Sequence, residues 1–182
     1  MILLVIDVQK LIMTDDLYDF ARFENTVGKL ICAARESGTE VIYVRHDDGE
    51  GEELTKGKAG FEIYDGFKPQ PSEKIFTKTV NSCFKESGLL EYLREKQVKE
   101  VAIAGLMTDY CIDATVKCGF EHGFSIIVPK HANTTTDNEY MTGKQTYEYY
   151  NGFIWQGRYA HCISPEETIG EDETLKKSAL GN

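Results

Sequence analysis

The sequence predicts one α/β domain: a three-layer α/β/α sandwich around a six-stranded, mostly parallel, Rossmann-like sheet. Three observations carry this expectation. Short apolar runs of strand length alternate with stretches of helical period, the pattern of repeated βαβ units. The runs Ile2–Ile6 and Val101–Ala104 are unbroken apolar segments, as expected for strands buried on both faces. The chain has 182 residues, the size of a single domain over 1–182 with 169–182 as a polar tail, and is 41% hydrophobic and 27% charged, an ordinary soluble composition.

Each element follows in order. Ile2 to Ile6 is too short for a buried helix and rich in branched side chains; it is read as the first strand, at the sheet centre, closed by Asp7. Phe23 to Ser37 carries apolar residues at 23, 27, 30, 31 and 34, a helical stripe that Gly38 stops. Glu40 to Arg45 is the second strand, with His46 at its end. Residues 47–60 are rich in Gly, Glu and Lys and read as a surface loop; 61–71 stays irregular. Lys74 to Thr77 is a short third strand with Lys78 just past it, and Ser87 to Glu95 a helix with Leu89, Leu90 and Leu93 inward. After the strand at Val101–Ala104, Gly105 allows a turn, Thr108 or Asp109 is available as a cap, and a helix follows from about Asp109. Phe124 to Val128 is the fifth strand, Asn138 to Tyr150 a helix and Tyr159 to Ile163 the sixth strand.

The balance of charge excludes some partners. A net charge of −10 argues against nucleic acid or an anionic membrane surface. The five cysteines, at 32, 83, 111, 118 and 162, are odd in number and contain no CxxC, so neither a disulfide framework nor a zinc ribbon is expected. Cys111 and Cys118 fall on one helix roughly 10 Å apart, too far for a disulfide. The opening MILLVIDVQ reads as a strand rather than a leader, and no run reaches membrane-spanning length, so a cytoplasmic location is expected.

The chemistry is expected at strand ends, where ligands collect in open α/β sheets. Asp7 follows the first strand, Lys78 the third and Cys111 the fourth. Singly, each has an ordinary reading: a loop cap, a surface charge, a small core residue. Jointly they bring a carboxylate, a cation and a thiol to one rim, which are the base, charge stabiliser and attacker of nucleophilic catalysis. Cys111 also stands at a strand-to-helix elbow, where unpaired amides favour a thiolate and could stabilise an oxyanion.

LLVIDVQ at 3–9, KTVNSCF at 78–84 and GLMTDYC at 105–111 resemble the three signatures of the isochorismatase-like cysteine hydrolases. The likeness extends through RHDDGEGEEL at 45–54, GFEIYDGFKP at 60–69 and HANTT at 131–135, to about Thr168. The resemblance implies an Asp7–Lys78–Cys111 triad, a cis peptide between Leu106 and Met107, and an oxyanion hole from the backbone amides of Met107 and Cys111. It implies hydrolysis of a C–N bond in a small amide through a thioester, since isochorismatases proper lack the cysteine, and a homo-oligomer, dimer or tetramer. A non-catalytic binding protein and a thiol redox protein using Cys111, with Cys83 as partner, are the competing readings.

Two departures from the family pattern stand out. Nicotinamidases of this family hold a metal with an Asp-x-His and a further His; here the region reads His46-Asp47-Asp48 and has no second histidine before Lys74, so no metal and no cofactor is expected. His46 is read as a pocket-edge residue or a plain structural one. His131 stands where the family often has Asp. Ile12, Phe61, Phe84 and Tyr110 are candidate pocket walls, with core packing an equal alternative. Cys32 and Cys162 are expected inside apolar elements and slow to react.

Overall fold

The computed structural model describes residues 1–168; the tail at 169–182 lies outside the described residues. The elements are β1 (Ile2–Ile6), α1 (Phe20–Ser37), β2 (Glu40–His46), β3 (Lys74–Lys78), α2 (Leu89–Glu95), β4 (Glu100–Leu106), α3 (Asp113–Glu121), β5 (Ser125–Pro129), β6 (Asn133–Thr134), α4 (Gly143–Tyr149) and β7 (His161–Ile163). The sheet runs β3-β2-β1-β4-β5-β7, every pairing parallel, with β6 beside the end of β4. The chain thus builds outward from β1 to β3, then returns to start again at β4 on the other side of β1. The reversal puts the topological switch point at the carboxyl ends of β1 and β4, where ligands gather in such sheets.

Burial explains the run-length signal. All five residues of β1 are buried, because β2 and β4 flank it and helical layers cover both faces. One core layer gathers Ile2, Leu4, Ile6, Ile42, Val44, Ile103, Ile112 and Val116. The other gathers Leu3, Val5, Val41, Tyr43 and Ala104 with the α1 stripe. That stripe buries Phe23, Thr26, Val27, Leu30, Ile31 and Ala34. Gly38 closes the helix in a left-handed conformation at φ 74°, its N–H reaching Ala34 and Arg35 carbonyls.

Several expectations need correction. The six expected strands form the path of the sheet; among the described residues a seventh, β6, is added off that path, two polar-sequence residues held by register with Gly105 and Leu106. The helix expected from Asn138 begins only at Gly143. Asn138 Oδ1 accepts from the amides of Tyr140 and Met141, a local turn that competes with helix. Thr142 and Gln145 then form a reciprocal capping box. Gly143 sits at this start because a Cβ there would lie 2.8 Å from the Thr135 carbonyl oxygen. Tyr159 and Ala160 belong to a turn closed on the Trp155 carbonyl, so the last strand starts at His161. Neither Thr108 nor Asp109 caps the elbow: Thr108 Oγ1 donates to Asn133 Oδ1, and Asp109 Oδ1 accepts from Thr135 Oγ1. Cys32 is exposed. At 3.6 residues per turn it lies about half a turn from the centre of the α1 stripe, so the helical period outranks the residue type.

Candidate active site

Register brings the site together. β2 and β3 pair His46 with Lys78, two side chains on one face of neighbouring strands. That face continues through Val44 and Phe76 into the core layer that also holds Cys111 and Ile112. Asp7 would point to the opposite face if β1 continued extended, since side chains alternate. Its backbone is instead left-handed, φ 56°, a conformation Asp tolerates better than most residues. Its N–H still bonds to the Val44 carbonyl, 2.9 Å, so the turn stays attached to the sheet.

Cys111 comes from β4 and its elbow. The Leu106–Met107 peptide is cis. A wide turn over Thr108–Ile112 follows, with the Ile112 amide on the Met107 carbonyl at 3.1 Å, and leads into α3. Gly105 makes the crossing possible. Its φ is 132°, and a Cβ there would lie 2.0 Å from the Ile6 carbonyl oxygen. The elbow is held from behind by buried amides: Asn133 and Asn151 exchange hydrogen bonds at 2.9 and 3.0 Å, and Thr108 donates to Asn133 at 2.8 Å.

Lys78 sits at the centre. Its Nζ donates to Asp7 Oδ2 at 2.7 Å and to Cys111 Sγ at 3.2 Å, and lies 2.8 Å from His46 Nδ1. The Lys78 side chain has no exposure and that of Asp7 2%. Cys111 Sγ also approaches Asn81 Oδ1, 3.8 Å away at the exposed edge. Asp7 Oδ1 is buried and takes no hydrogen bond, leaving a carboxylate lone pair open.

The electrostatics follow from this packing. Burial raises the Asp7 carboxyl above its ordinary value, against the opposing pull of Lys78 and Cys111. Burial alone would lower Lys78, but the Asp7 carboxylate and neighbouring sulfurs outweigh it and keep the ammonium charged. Burial, then the Asp7 charge, push the Cys111 thiol up; Lys78 opposes them without prevailing. The geometry sets an ammonium–carboxyl pair at 2.7 Å beside the Cys111 thiol.

The cluster is a poor metal centre. Asp7, His46 and Cys111 offer ligand atoms all within 4.8 Å of one another. The Lys78 ammonium, bonded to all three, already provides the positive charge at their midpoint, so an ion has no place there while these bonds stand.

The remaining candidates are placed as follows. His46 contacts Lys78, while Ile12 is half-buried at the rim and packs against the α1-side core layer. Phe61 is buried under the Arg45 guanidinium, 4.3 Å from its ring centre. Phe84 is buried against Phe124 and His122 beneath α3. Tyr110 is 57% exposed. His131, at φ 62°, stacks on Tyr147. Cys83 is wholly buried and its thiol is pushed up to about 12, which makes it a weak redox partner. Sequence reasoning passed over Gln9, whose buried amide bonds the His46 N–H and carbonyl at 2.8 and 3.0 Å. It stood within a quoted motif, and a polar residue three places past a buried strand was the available signal.

Fold and cluster define a doubly wound α/β protein with an acid, an ammonium and a thiol at its switch point. Residues 1–152 match the isochorismatase domain model, and the chain belongs to the isochorismatase family of hydrolases. It is similar to the family protein YrdC of Bacillus subtilis (strain 168), 35% identical over 127 residues, covering 67% of each chain. It is 28% identical over 137 residues to streptothricin hydrolase of Streptomyces noursei, covering 74% of this chain and 50% of that one. The chain thus spans about half the length of that relative. A ureidoacrylate amidohydrolase, RutB of Caulobacter segnis, is 32% identical over 71 residues, 39% of this chain and 30% of its own. A crystal structure of an isochorismatase family protein superposes with a TM-score of 0.81 at 28% identity, over 88% of this chain and 95% of that one. No helix among the described residues is long and apolar enough to cross a membrane.

Proposed function

We propose that the protein is a cysteine-dependent hydrolase that cleaves a C–N bond of a small amide through a thioester, with Asp7, Lys78 and Cys111 as its catalytic residues. The observation that supports this best is the single ammonium bonded at once to the Asp7 carboxylate and the Cys111 sulfur. The amide class rests on family relatives, among them an amidohydrolase.

The steps follow from the charge state. A carboxyl raised by burial is a better base than a free one, and its open Oδ1 takes the Cys111 proton as sulfur attacks the substrate carbonyl. Lys78 faces the sulfur and offsets the charge appearing there. The tetrahedral oxyanion is assigned to the backbone amides of Met107 and Cys111, on the elbow that the cis peptide opens. The C–N bond breaks and ammonia or an amine leaves with the proton from Asp7. Water then gives a proton to Asp7 and its oxygen to the acyl carbon; the C–S bond breaks, and the thiolate recovers the proton. Exposed Tyr110 and Asn81, with Ile12 at the rim, are assigned to the pocket mouth.

Ammonia release from a panel of small amides, with and without iodoacetamide, tests the reading. Cys111→Ser should abolish turnover by about 10³-fold or more while leaving the fold intact. Full activity in that variant, on a substrate the wild type cleaves, excludes the cysteine mechanism.

A further inference from the structure

His46 makes contacts that a residue of the pocket edge does not need. A lysine ammonium has three hydrogens and can only donate. Two are taken by Asp7 Oδ2 and Cys111 Sγ, and the third acceptor is His46 Nδ1 at 2.8 Å. Nδ1 must therefore be bare, which puts the ring proton on Nε2. That nitrogen lies 3.0 Å from Asp48 Oδ1, an acceptor for it. The imidazole tautomer is fixed from both sides.

The main chain is fixed as well. Gln9, fully buried, accepts from the His46 N–H at 2.8 Å and donates to its carbonyl at 3.0 Å and to that of Phe61 at 3.1 Å. Thus the turn that follows β1 carries both Asp7, which binds the ammonium, and Gln9, which sets where the third acceptor stands.

We propose that His46 is a positioning residue: as a neutral imidazole anchored by Asp48 and Gln9, it takes the third ammonium hydrogen and holds Lys78 midway between Asp7 and Cys111. The inference rests on the cysteine mechanism proposed above. Its consequence is a division of the ammonium between two anions. With two acceptors only, Lys78 turns toward the carboxylate, the stronger partner, and its hold on sulfur weakens when charge develops there. His46 does not touch the reacting atoms and transfers no proton.

The test reads Cys111 directly, by peptide mapping after timed iodoacetamide alkylation across a pH series. His46→Leu and His46→Ala should slow Cys111 alkylation about tenfold at fixed pH and displace its profile upward by about one unit. His46→Asn, which restores an acceptor oxygen near the Nδ1 position, should return to within about threefold of wild type. Asp48→Ala, at an exposed anchor, should act in the same direction but more weakly, and carries the test if His46→Leu does not fold. Equal rates in His46→Leu, Asp48→Ala and wild type overturn the proposal, as does a folded His46→Asn variant as slow as His46→Leu, which would mark packing rather than acceptance. Failure of the catalytic reading looks different: Cys111→Ser then keeps turnover, and the alkylation comparison still stands.

Discussion

Replacing Lys78 with Met keeps the side-chain volume and removes the charge from beneath the switch point. Asp7 is then a carboxylate with 2% side-chain exposure and no counter-ion at 2.7 Å. A buried, unpaired carboxylate escapes by taking a proton, and the cost of that proton sets the penalty. Against an unfolded carboxyl value near 3.9, protonation costs about 1.4 kcal/mol for each pH unit above it, or about 5 kcal/mol near pH 7.5. The sign is fixed by linkage. In the variant the folded carboxyl lies above its unfolded value, so stability is full below about pH 4 and falls as pH rises, until the folded value is reached. Adding Asp7→Asn removes the titrating group, so the double variant should regain most of the loss and show no such slope. Urea unfolding followed by circular dichroism between about pH 4 and 8 measures both. Equal stability of Lys78→Met and wild type near pH 7.5, or a loss that does not vary with pH, would refute the buried ion pair.

Three further outcomes are expected. Alkylation of Cys111 should climb with pH through about 9 without levelling, because burial and the Asp7 charge hold the thiol up; a plateau below pH 8 in a mapped rate profile speaks against that environment. Exposed Cys32 will react alongside it, so total thiol loss is the wrong readout. Gly105→Ala should cost about 3–5 kcal/mol and slow turnover about 100-fold, because a Cβ 2.0 Å from the Ile6 carbonyl oxygen must part β1 from β4 and with them Asp7 from Cys111; an unchanged melting temperature contradicts the crossing. At Glu73 burial alone would raise the carboxyl, yet the Arg35 fork at 2.8 and 2.9 Å and the Gln70 amide hold it below its ordinary value. The resulting stability is present above the unfolded value and lost as pH falls through the folded one, so Glu73→Gln should cost roughly 1.5–3 kcal/mol at neutral pH and flatten the acid limb of a stability-against-pH curve.

What the sequence revealed of the fold was what neighbouring residues encode. β1 is a contiguous apolar run, and the α1 stripe repeats within two turns, so both could be read without knowing any partner. β6 could not. Asn133 and Thr134 carry no strand pattern; they are a strand because Gly105 and Leu106 lie opposite them. The start of α4 was misplaced for a local reason that periodicity ignores, the preference of Asn138 for its own turn. Cys32 was misplaced by reading residue type where the period gave the better answer.

The same division runs through the site. Asp7, Lys78 and Cys111 each end or follow a strand, and in a doubly wound sheet all strand ends share one rim, so their meeting was an inference from topology. The family resemblance implied the meeting of Lys78 with Asp7, but the bond that sets His46 beside them was out of reach, because Gln9 meets His46 across 37 positions. Nor does fold stability explain these groups. A buried ion pair recovers in mutual attraction little more than it loses in leaving water, and apolar residues of equal volume often replace it without loss. A chain folding only to be stable would fill this space with more aliphatic side chains, like the buried Ile6 next to Asp7. Instead it places there a carboxylate with an open lone pair, an ammonium with all its hydrogens engaged, and a thiol made reluctant to ionise. Such a set fits the nucleophilic role proposed for Cys111 better than it fits a role in stability.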